Sequence, residues 1–184
     1  RTLRERIGRL ASGLAGLGVE SGHTVAMMDW DSHRYLECFF AVPMMGAILQ
    51  TVNVRLSAEQ IAYTLNHAKA DVVLVNREFL PLLAPIGPLL TNVKHFVLID
   101  DEDTPVAEPV RFTTEYEALL ASASPDFDFP DFDENAQATV FYTTGTTGLP
   151  KGVYFSHRQL VLHTLGVATN VGCAARSEEH TSEL

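Results

Sequence analysis

Short runs of apolar, often β-branched residues alternate along this chain with amphipathic segments of roughly 10 to 15 residues, the pattern of strands and helices in turn. Four of the apolar runs are typical of buried strands and cover residues 24–30, 47–53, 71–76 and 95–100. A strand that is followed by a helix of this length returns to the same sheet as a parallel neighbour. The alternation therefore predicts an α/β fold of βαβ units around a parallel sheet. Such a sheet binds its ligands outside the carboxyl ends of its strands.

The first two helices are indicated by their spacing and their end signals. One begins near the start of the chain, is predicted to stop at Gly18, and carries apolar residues three and four positions apart: Leu3, Ile7, Leu10, Leu14 and Leu17. In the second, Asp31 or Ser32 is the expected N-cap. Pro43 predicts that this second helix kinks or ends early, because proline cannot donate a helical hydrogen bond.

Later segments continue the alternation. Residues 57–60 read Ser-Ala-Glu-Gln, a capping box that predicts a third helix. We expect residues 101–135 to form a long polar connection with at most one short helix, near residues 114–121. Residues 137–144 predict another strand, residues 152–155 a short one, and Ser156 the cap of a last helix that ends near Asn170.

Composition and length exclude several classes of protein. The 184 residues are 46% hydrophobic and 20% charged, which is typical of one globular domain or part of one. The longest apolar run, residues 39–49, is too short to cross a bilayer, so we expect no transmembrane segment. The start of the chain does not resemble a signal peptide. Cys38 and Cys173 lie far apart and form no metal-type pair, which favours a reducing, cytoplasmic location.

Charge is distributed unevenly along the chain. The net charge of −10 argues against nonspecific nucleic-acid binding, which needs a basic surface. Residues 100–135 hold 12 acidic residues, and Arg111 is the only basic residue among them. We interpret this block as a solvated acidic connection. Lys151 and Arg158 make the following region, residues 136–175, locally positive.

The strand at residues 137–144 runs directly into a loop rich in glycine and threonine, "YTTGTTGLPKGV" (residues 142–153). The loop is not a Walker A motif, because Pro150 stands where that motif needs glycine and Gly152 where it needs Ser or Thr. Its parts nevertheless suit phosphate: glycines that let backbone amides converge, hydroxyl donors, and the mobile charge of Lys151. The composition of the loop alone is equally consistent with a phosphate site and with a turn that binds no ligand.

The full string decides between these readings. From Thr143 to Gly152, ten consecutive residues match the form [ST]-[ST]-G-[ST]-[ST]-G-x-P-K-G, and the loop thereby resembles the phosphate-loop signature of adenylate-forming (AMP-binding) enzymes. This superfamily includes acyl-CoA synthetases, firefly luciferase and the adenylation domains of peptide synthetases. Residues 9–27, 29–57 and 51–75 look like other stretches of the same family, so the resemblance covers nearly all of residues 1–175. It is closest to bacterial medium- and long-chain fatty-acyl-CoA synthetases, and methylmercaptopropionate-CoA ligases look similar.

The resemblance implies a fold, a reaction and a set of site residues. The fold is the large N-terminal domain of these enzymes, here incomplete. The reaction joins a fatty acid to coenzyme A through an acyl-adenylate, with ATP and Mg²⁺. Lys151 is implied as the catalytic, charge-stabilising residue and Thr143 as a Mg²⁺ contact. His157 is implied as a substrate-site residue, although a neighbour of the helix cap is the other interpretation. The ATP phosphates are expected to bind Thr143, Thr144, Gly145, Thr146, Thr147, Gly148 and Lys151.

Two alternatives stay open at the level of sequence. One is a ligase for a short or unusual acid, such as methylmercaptopropionate, which would share the loop. The other is a non-catalytic module that binds a nucleotide. Either way the partners are small molecules, and a homodimer is expected only of the full-length protein.

The ends of the sequence predict that it is a piece of a longer chain. Residues 176–184, "RSEEHTSEL", have no periodicity and equal the translation of a DNA adapter used in short-read sequencing. We therefore expect the native part to be residues 1–175, with residues 139–157 as its phosphate-loop region. In the family, the adenine and ribose contacts, the hinge and the C-terminal lysine lie beyond this point, so we expect the piece alone to be inactive.

Overall fold

The computed structural model describes residues 2–102, 110–144 and 148–170. In this part of the chain, seven strands form one sheet: β1 (Thr24–Met28), β2 (Ile48–Thr51), β3 (Ala70–Asn76), β4 (His95–Ile99), β5 (Thr114–Glu115), β6 (Gln137–Thr143) and β7 (Lys151–Ser156). The helices are α1 (Leu3–Gly16), α2 (His33–Met44), α3 (Ala58–His67), α4 (Leu80–Leu83), α5 (Tyr116–Ser122) and α6 (His157–Asn170). None of these helices is long and apolar enough to span a bilayer.

The order of the strands is β5-β4-β3-β1-β2-β6-β7, and all neighbours are parallel except β6 and β7. The predicted α/β fold with a parallel sheet is therefore confirmed for six strands, and β7 is the exception. Residues 144–150, which join β6 to β7, are too few for a crossover to a parallel strand, so the two strands form a hairpin.

The two faces of the sheet are covered by different helices. Strands β2 and β3 lie on opposite sides of β1, so the chain crosses the sheet in one direction to reach β2 and in the other direction to reach β3. Because both crossovers are right-handed, their helices lie on opposite faces of the sheet. Helices α1, α2 and α5 cover one core, which includes Leu14, Val25, Val42, Leu49 and Leu120. Helices α3 and α4 cover the other, which includes Met28, Ile61, Leu65, Val73 and Leu83.

The predicted ends of α1 and α2 match the structure closely. Thr2 caps α1 by accepting a hydrogen bond from the amide of Glu5 (3.3 Å), and Gly18 follows the helix in the left-handed conformation with φ of 83°. Ser32 rather than Asp31 caps α2, and its hydroxyl accepts from the amide of Tyr35 at 3.2 Å. As expected of the proline at position 43, α2 ends one residue later.

The capping box at Ser57 and Gln60 is formed, with both of its hydrogen bonds at 3.3 Å. The short helix expected near residues 114–121 is α5. Sequence reasoning made no prediction for residues 77–90, where the structure has α4 between two 3₁₀ turns, Arg77–Phe79 and Gly87–Leu89. It also missed β5, whose two residues are too few for a period to appear.

Part of the acidic block is tied to arginines of the helical layer. Asp101, whose side chain is 70% exposed, pairs with Arg34, and the Glu117 carboxylate accepts hydrogen bonds from Arg34 (3.2 Å) and Arg6 (2.8 and 2.9 Å). Hydrogen bonds from Arg34 hold the pKa of Asp101 below its ordinary value. Hydrogen bonds from Arg6 hold the pKa of Glu117 below its ordinary value. These contacts tie the start of residues 101–135, and helix α5 within them, to α1 and α2.

Candidate phosphate-binding site

The glycine and threonine loop connects the two strands of the β6–β7 hairpin. Thr143, the last residue of β6, lies directly opposite Lys151, the first residue of β7. Side chains of directly opposed residues in an antiparallel pair project from the same face, with Cβ atoms about 5 Å apart. The hairpin therefore brings together two residues that the sequence separates by the whole loop.

This end of the hairpin lies at the carboxyl edge of the parallel strands. Strand β6 is parallel to β2, with Thr51 opposite Phe141, so both strands point towards the same edge. Parallel sheets bind ligands at this edge, because the loops that leave the strands diverge there and open a crevice. The position of Thr143 is thus the one that the fold class predicts for a ligand contact.

The structure describes the loop up to Thr144 and again from Gly148. Thr144 and Gly148 are exposed, whereas Pro150 is buried and anchors the entry into β7. Gly148 has φ of 104°, a conformation that favours glycine over residues with a side chain. Gly145, Thr146 and Thr147, which were predicted as phosphate contacts, lie outside the described residues.

The side chains of Thr143 and Lys151 are exposed. Within the described ranges, neither side chain has a hydrogen bond or an ion pair to another residue. The ammonium group of Lys151 is therefore not neutralised by any carboxylate of the described part. A mobile positive charge beside a hydroxyl is an arrangement that suits an anion of several charges, such as a polyphosphate.

The root of the hairpin is packed by aromatic residues. The Tyr142 hydroxyl lies 2.8 Å from Nδ1 of His67 at the end of α3, and the two rings meet edge to face at 5.7 Å. Tyr154 lies on the same face of β7, beside Gly152, which is opposite Tyr142. Sequence reasoning did not single out His67 or Tyr142, since no local pattern relates residues 75 positions apart.

His157 lies at the other end of the hairpin. It follows Ser156, which pairs with Gln137 at the start of β6, five residues along β7 from Lys151. At the usual rise of a strand this is about 17 Å. His157 therefore lies about one strand length from Lys151, because β7 runs back to the amino edge of the sheet before α6 begins.

The surroundings of His157 are those of a helix start. Ser156 and Gln159 form a capping box, with hydrogen bonds of 2.8 and 3.3 Å, and the His157 ring packs against Phe132 with centroids 4.5 Å apart. Its Nε2 atom is buried without a hydrogen-bond partner in the described part of the chain, and burial lowers its pKa. Its contact with substrate stays a prediction.

A metal ion would find few protein ligands here. Among the described residues, no group of three or more His, Cys, Asp or Glu side chains could hold one. The Thr143 hydroxyl is a hard oxygen donor, and Mg²⁺ in nucleotide sites keeps several waters and takes its other ligands from phosphates. The donor set therefore fits a Mg²⁺ ion that arrives with a nucleotide, and does not fit a resident metal.

Comparison with known proteins agrees with this geometry. The family model described as "AMP-binding enzyme" matches residues 1–181. The chain belongs to the AMP-binding enzyme family. It is 43% identical over 175 residues to a long-chain-fatty-acid–CoA ligase of Thermus thermophilus, an alignment that covers 95% of this chain and 31% of the relative. It is 38% identical over 161 residues to a 3-methylmercaptopropionyl-CoA ligase of Ruegeria lacuscaerulensis, which covers 88% of this chain and 30% of the relative.

A solved structure extends the likeness to the fold of AMP-binding enzymes. The anthranilate CoA ligase AuaEII, solved in complex with anthranoyl-AMP, superposes with a TM-score of 0.80 at 26% identity, over 90% of this chain and 31% of that chain. This AMP-binding enzyme chain thus spans about a third of the length of the proteins that it matches. The fold and the family resemblance stated from the sequence are both confirmed.

Proposed function

We propose that this chain is the part of an ATP-dependent acid–CoA ligase that holds the phosphates of ATP. In the proposed reaction, the carboxylate of a fatty acid attacks the α-phosphorus of ATP and forms an acyl-adenylate, and pyrophosphate leaves. The thiol of coenzyme A then attacks the acyl carbon, loses its proton, and displaces AMP to give the thioester. The observation that carries the proposal is the pair Thr143 and Lys151, exposed and side by side at the carboxyl edge of the sheet.

The work proposed for the loop is electrostatic. Negative charge builds up on the β- and γ-phosphates as pyrophosphate departs, and the Lys151 ammonium group offsets it. In this proposal, hydroxyl groups of the loop threonines and backbone amides of the loop donate hydrogen bonds to phosphate oxygens. Mg²⁺ supplies further positive charge to the phosphates, and the Thr143 hydroxyl is the group of this chain that would contact it.

The class of acid is proposed from relatives. Matched proteins include ligases for long-chain and medium-chain fatty acids and for 3-methylmercaptopropionate. We infer a fatty acid, with a short or sulfur-containing acid as the second candidate. The cytoplasmic location and a homodimer of the full-length protein stay predictions.

Removal of the charge at position 151 tests the proposal. In the full-length ligase that contains this chain, Lys151→Ala should lower the rate of AMP release from ATP, Mg²⁺, coenzyme A and decanoate by about 100-fold or more, the usual effect of losing one group that stabilises developing charge. The melting temperature should change little, because the side chain is exposed. Lys94→Ala is the matched control, since Lys94 is also exposed but pairs with Asp71 at 2.9 Å.

The outcomes separate the candidate functions. A Lys151→Ala enzyme within about threefold of the unchanged rate would overturn a role for this residue in phosphate binding, because loss of a charge-stabilising group costs far more. Absence of AMP release from both enzymes, with nucleotide binding retained, would favour the non-catalytic nucleotide-binding module. Comparison of decanoate with 3-methylmercaptopropionate in the same assay decides between the two classes of acid.

A further inference from the structure

The phosphate-loop hairpin is tethered to the rest of the fold unevenly. Strand β6 is held on one side by β2 and on the other by β7. Strand β7, which carries Lys151, pairs with β6 alone and is the last strand of the described sheet. A strand at the edge of a sheet has half the ladder hydrogen bonds of a central strand, so the end of this hairpin needs a further constraint to keep a fixed geometry.

A side-chain contact beneath the hairpin supplies such a constraint. The Tyr142 hydroxyl hydrogen-bonds to Nδ1 of His67 at 2.8 Å, and His67 is the last residue of α3. The Tyr63 ring also lies beside His67, with ring centroids 5.5 Å apart and the ring planes tilted by 34°. The contact joins Tyr142, which precedes Thr143, to helix α3, which is itself packed on the sheet.

Tyr142 is suited to act as the anchor. It is 7% exposed, and burial raises its pKa, with the neighbouring Tyr154 phenol raising it further. The phenol therefore stays neutral and keeps its proton for a hydrogen bond across the physiological range. The hydrogen bond is half-buried, since Tyr142 is buried and His67 is exposed, and its loss would deprive the buried end of the bond, the Tyr142 hydroxyl, of this partner.

Gly152 lets the tyrosine rings pack close to the backbone. A Cβ atom at this position would lie 3.3 Å from ring carbons of both Tyr142 and Tyr154. Two rings therefore lie so close to the backbone of the residue after Lys151 that a side chain there would have to displace them by a few tenths of an ångström. The cluster thus contacts both strands of the hairpin directly behind Thr143 and Lys151.

We propose that His67 and Tyr142 are positioning residues that lock the phosphate-loop hairpin onto helix α3. The proposal rests on the function proposed above for Thr143 and Lys151. With the hydrogen bond in place, the end of β6 is fixed to α3, and the start of β7 is held through its pairing with β6 and through the Tyr142 ring against Gly152. The Lys151 ammonium group then stays over the phosphates while charge develops on them. Without it, the hairpin end moves, and groups that are misplaced by even 1 Å lose much of their effect on rate.

The first test measures the constraint itself, without activity. In this 184-residue chain, hydrogen exchange at the amides of residues 142–143 and 151–153 is compared between the unchanged protein and Tyr142→Phe, which removes one oxygen atom. We expect exchange there to become about three- to tenfold faster, the effect of one hydrogen bond, with no change in β1 and β3. Equal exchange rates at the hairpin in both proteins would overturn the proposal.

The second test measures positioning in the full-length ligase. His67→Ala, Tyr142→Phe and the double variant should each lower kcat for acyl-adenylate formation by about three- to tenfold, with the KM for the acid unchanged. The double variant should be no worse than either single variant, because both remove the same bond. His67→Asn, whose amide can take the place of Nδ1, should restore most of the rate.

Tyr63→Phe is the matched control, since it also removes a phenol oxygen beside His67 but leaves the bond to Tyr142. Lower melting temperatures with unchanged kcat would make the contact merely structural and would overturn the proposal. The proposed function fails separately: if Lys151→Ala has no effect on rate, phosphate binding by the loop is refuted, whatever the exchange experiment shows.

Discussion

Removal of the Glu37 carboxylate should strongly destabilise the fold. Glu37 lies on α2 and is 1% exposed, and its oxygens accept hydrogen bonds from Arg6 Nε (2.5 Å), from Arg6 Nη2 (3.2 Å) and from the Tyr116 hydroxyl (2.8 Å). These partners belong to α1 and α5, so one carboxylate joins three helices. In Glu37→Ala, the wholly buried Tyr116 phenol loses its acceptor, and the largely buried Arg6 guanidinium group loses its two hydrogen bonds to Glu37 but keeps those to Glu117.

The magnitude follows from the burial of the groups left behind. Breaking a buried ion pair by removing one partner costs about 3–5 kcal/mol when the remaining charge stays unpaired. We expect the lower end of this range, about 3 kcal/mol, because Arg6 keeps its pair with Glu117 while the Tyr116 hydroxyl loses its acceptor. The free energy of unfolding of an ordinary domain is about 5–15 kcal/mol, so the loss is about a fifth or more of the whole. Glu37→Gln should cost less, since its amide oxygen still accepts from the Tyr116 hydroxyl while the charge is lost.

Urea unfolding of the 184-residue chain, followed by circular dichroism, gives the free energy of unfolding. The matched control is Glu134→Ala, which also removes an arginine partner, at 2.6 Å from Arg158, but where both side chains are more than half exposed. An exposed pair contributes about 0–1 kcal/mol. If Glu37→Ala cost no more than Glu134→Ala, the argument from burial would be refuted.

Two further predictions concern stability. Gln50 is wholly buried between Ala26 and Val140, and neither polar atom of its amide has a partner in the described part of the chain. Gln50→Leu should therefore raise the free energy of unfolding by about 1–3 kcal/mol, whereas the exposed Gln137→Leu should change it little. A loss of stability in Gln50→Leu would contradict this prediction. Burial lowers the pKa of His157 in the folded state, so the unfolded chain binds this proton first, and stability falls as the pH drops below the ordinary pKa of 6.5. Urea unfolding at several pH values should show a weaker fall in stability for His157→Leu. An identical pH dependence in both proteins would refute the lowered pKa of His157.

Sequence reasoning reached the local elements because their signals are local. The spacing of apolar residues in α1, the cap at Ser32 and the capping box at Ser57 each depend on residues within one or two helical turns. The loop signature is also contiguous, so the family was recognised from ten neighbouring residues. Segments without a period, such as residues 77–90, gave no such signal.

The candidate site was predictable in part. Threonines, glycines and Lys151 were named from the motif alone, and the hairpin places Thr143 opposite Lys151 at the edge that the fold class predicts. The position of His157 was not predictable, because it depends on the direction of β7. The residue pattern of a strand does not show whether it pairs in a parallel or an antiparallel way. Only the pairing of β7 with β6 shows that β7 runs back to the amino edge of the sheet.

The sequence by itself determined most of the helices and strands and the family that the chain resembles, and it predicted which loop binds phosphate. Only the tertiary structure decided the order of the strands, the antiparallel turn of β7 and the contact of Tyr142 with His67. The physical reason is range: propensity, capping and periodicity act between residues a few positions apart, whereas partners 75 positions apart are selected by the packing of the whole sheet and its helices.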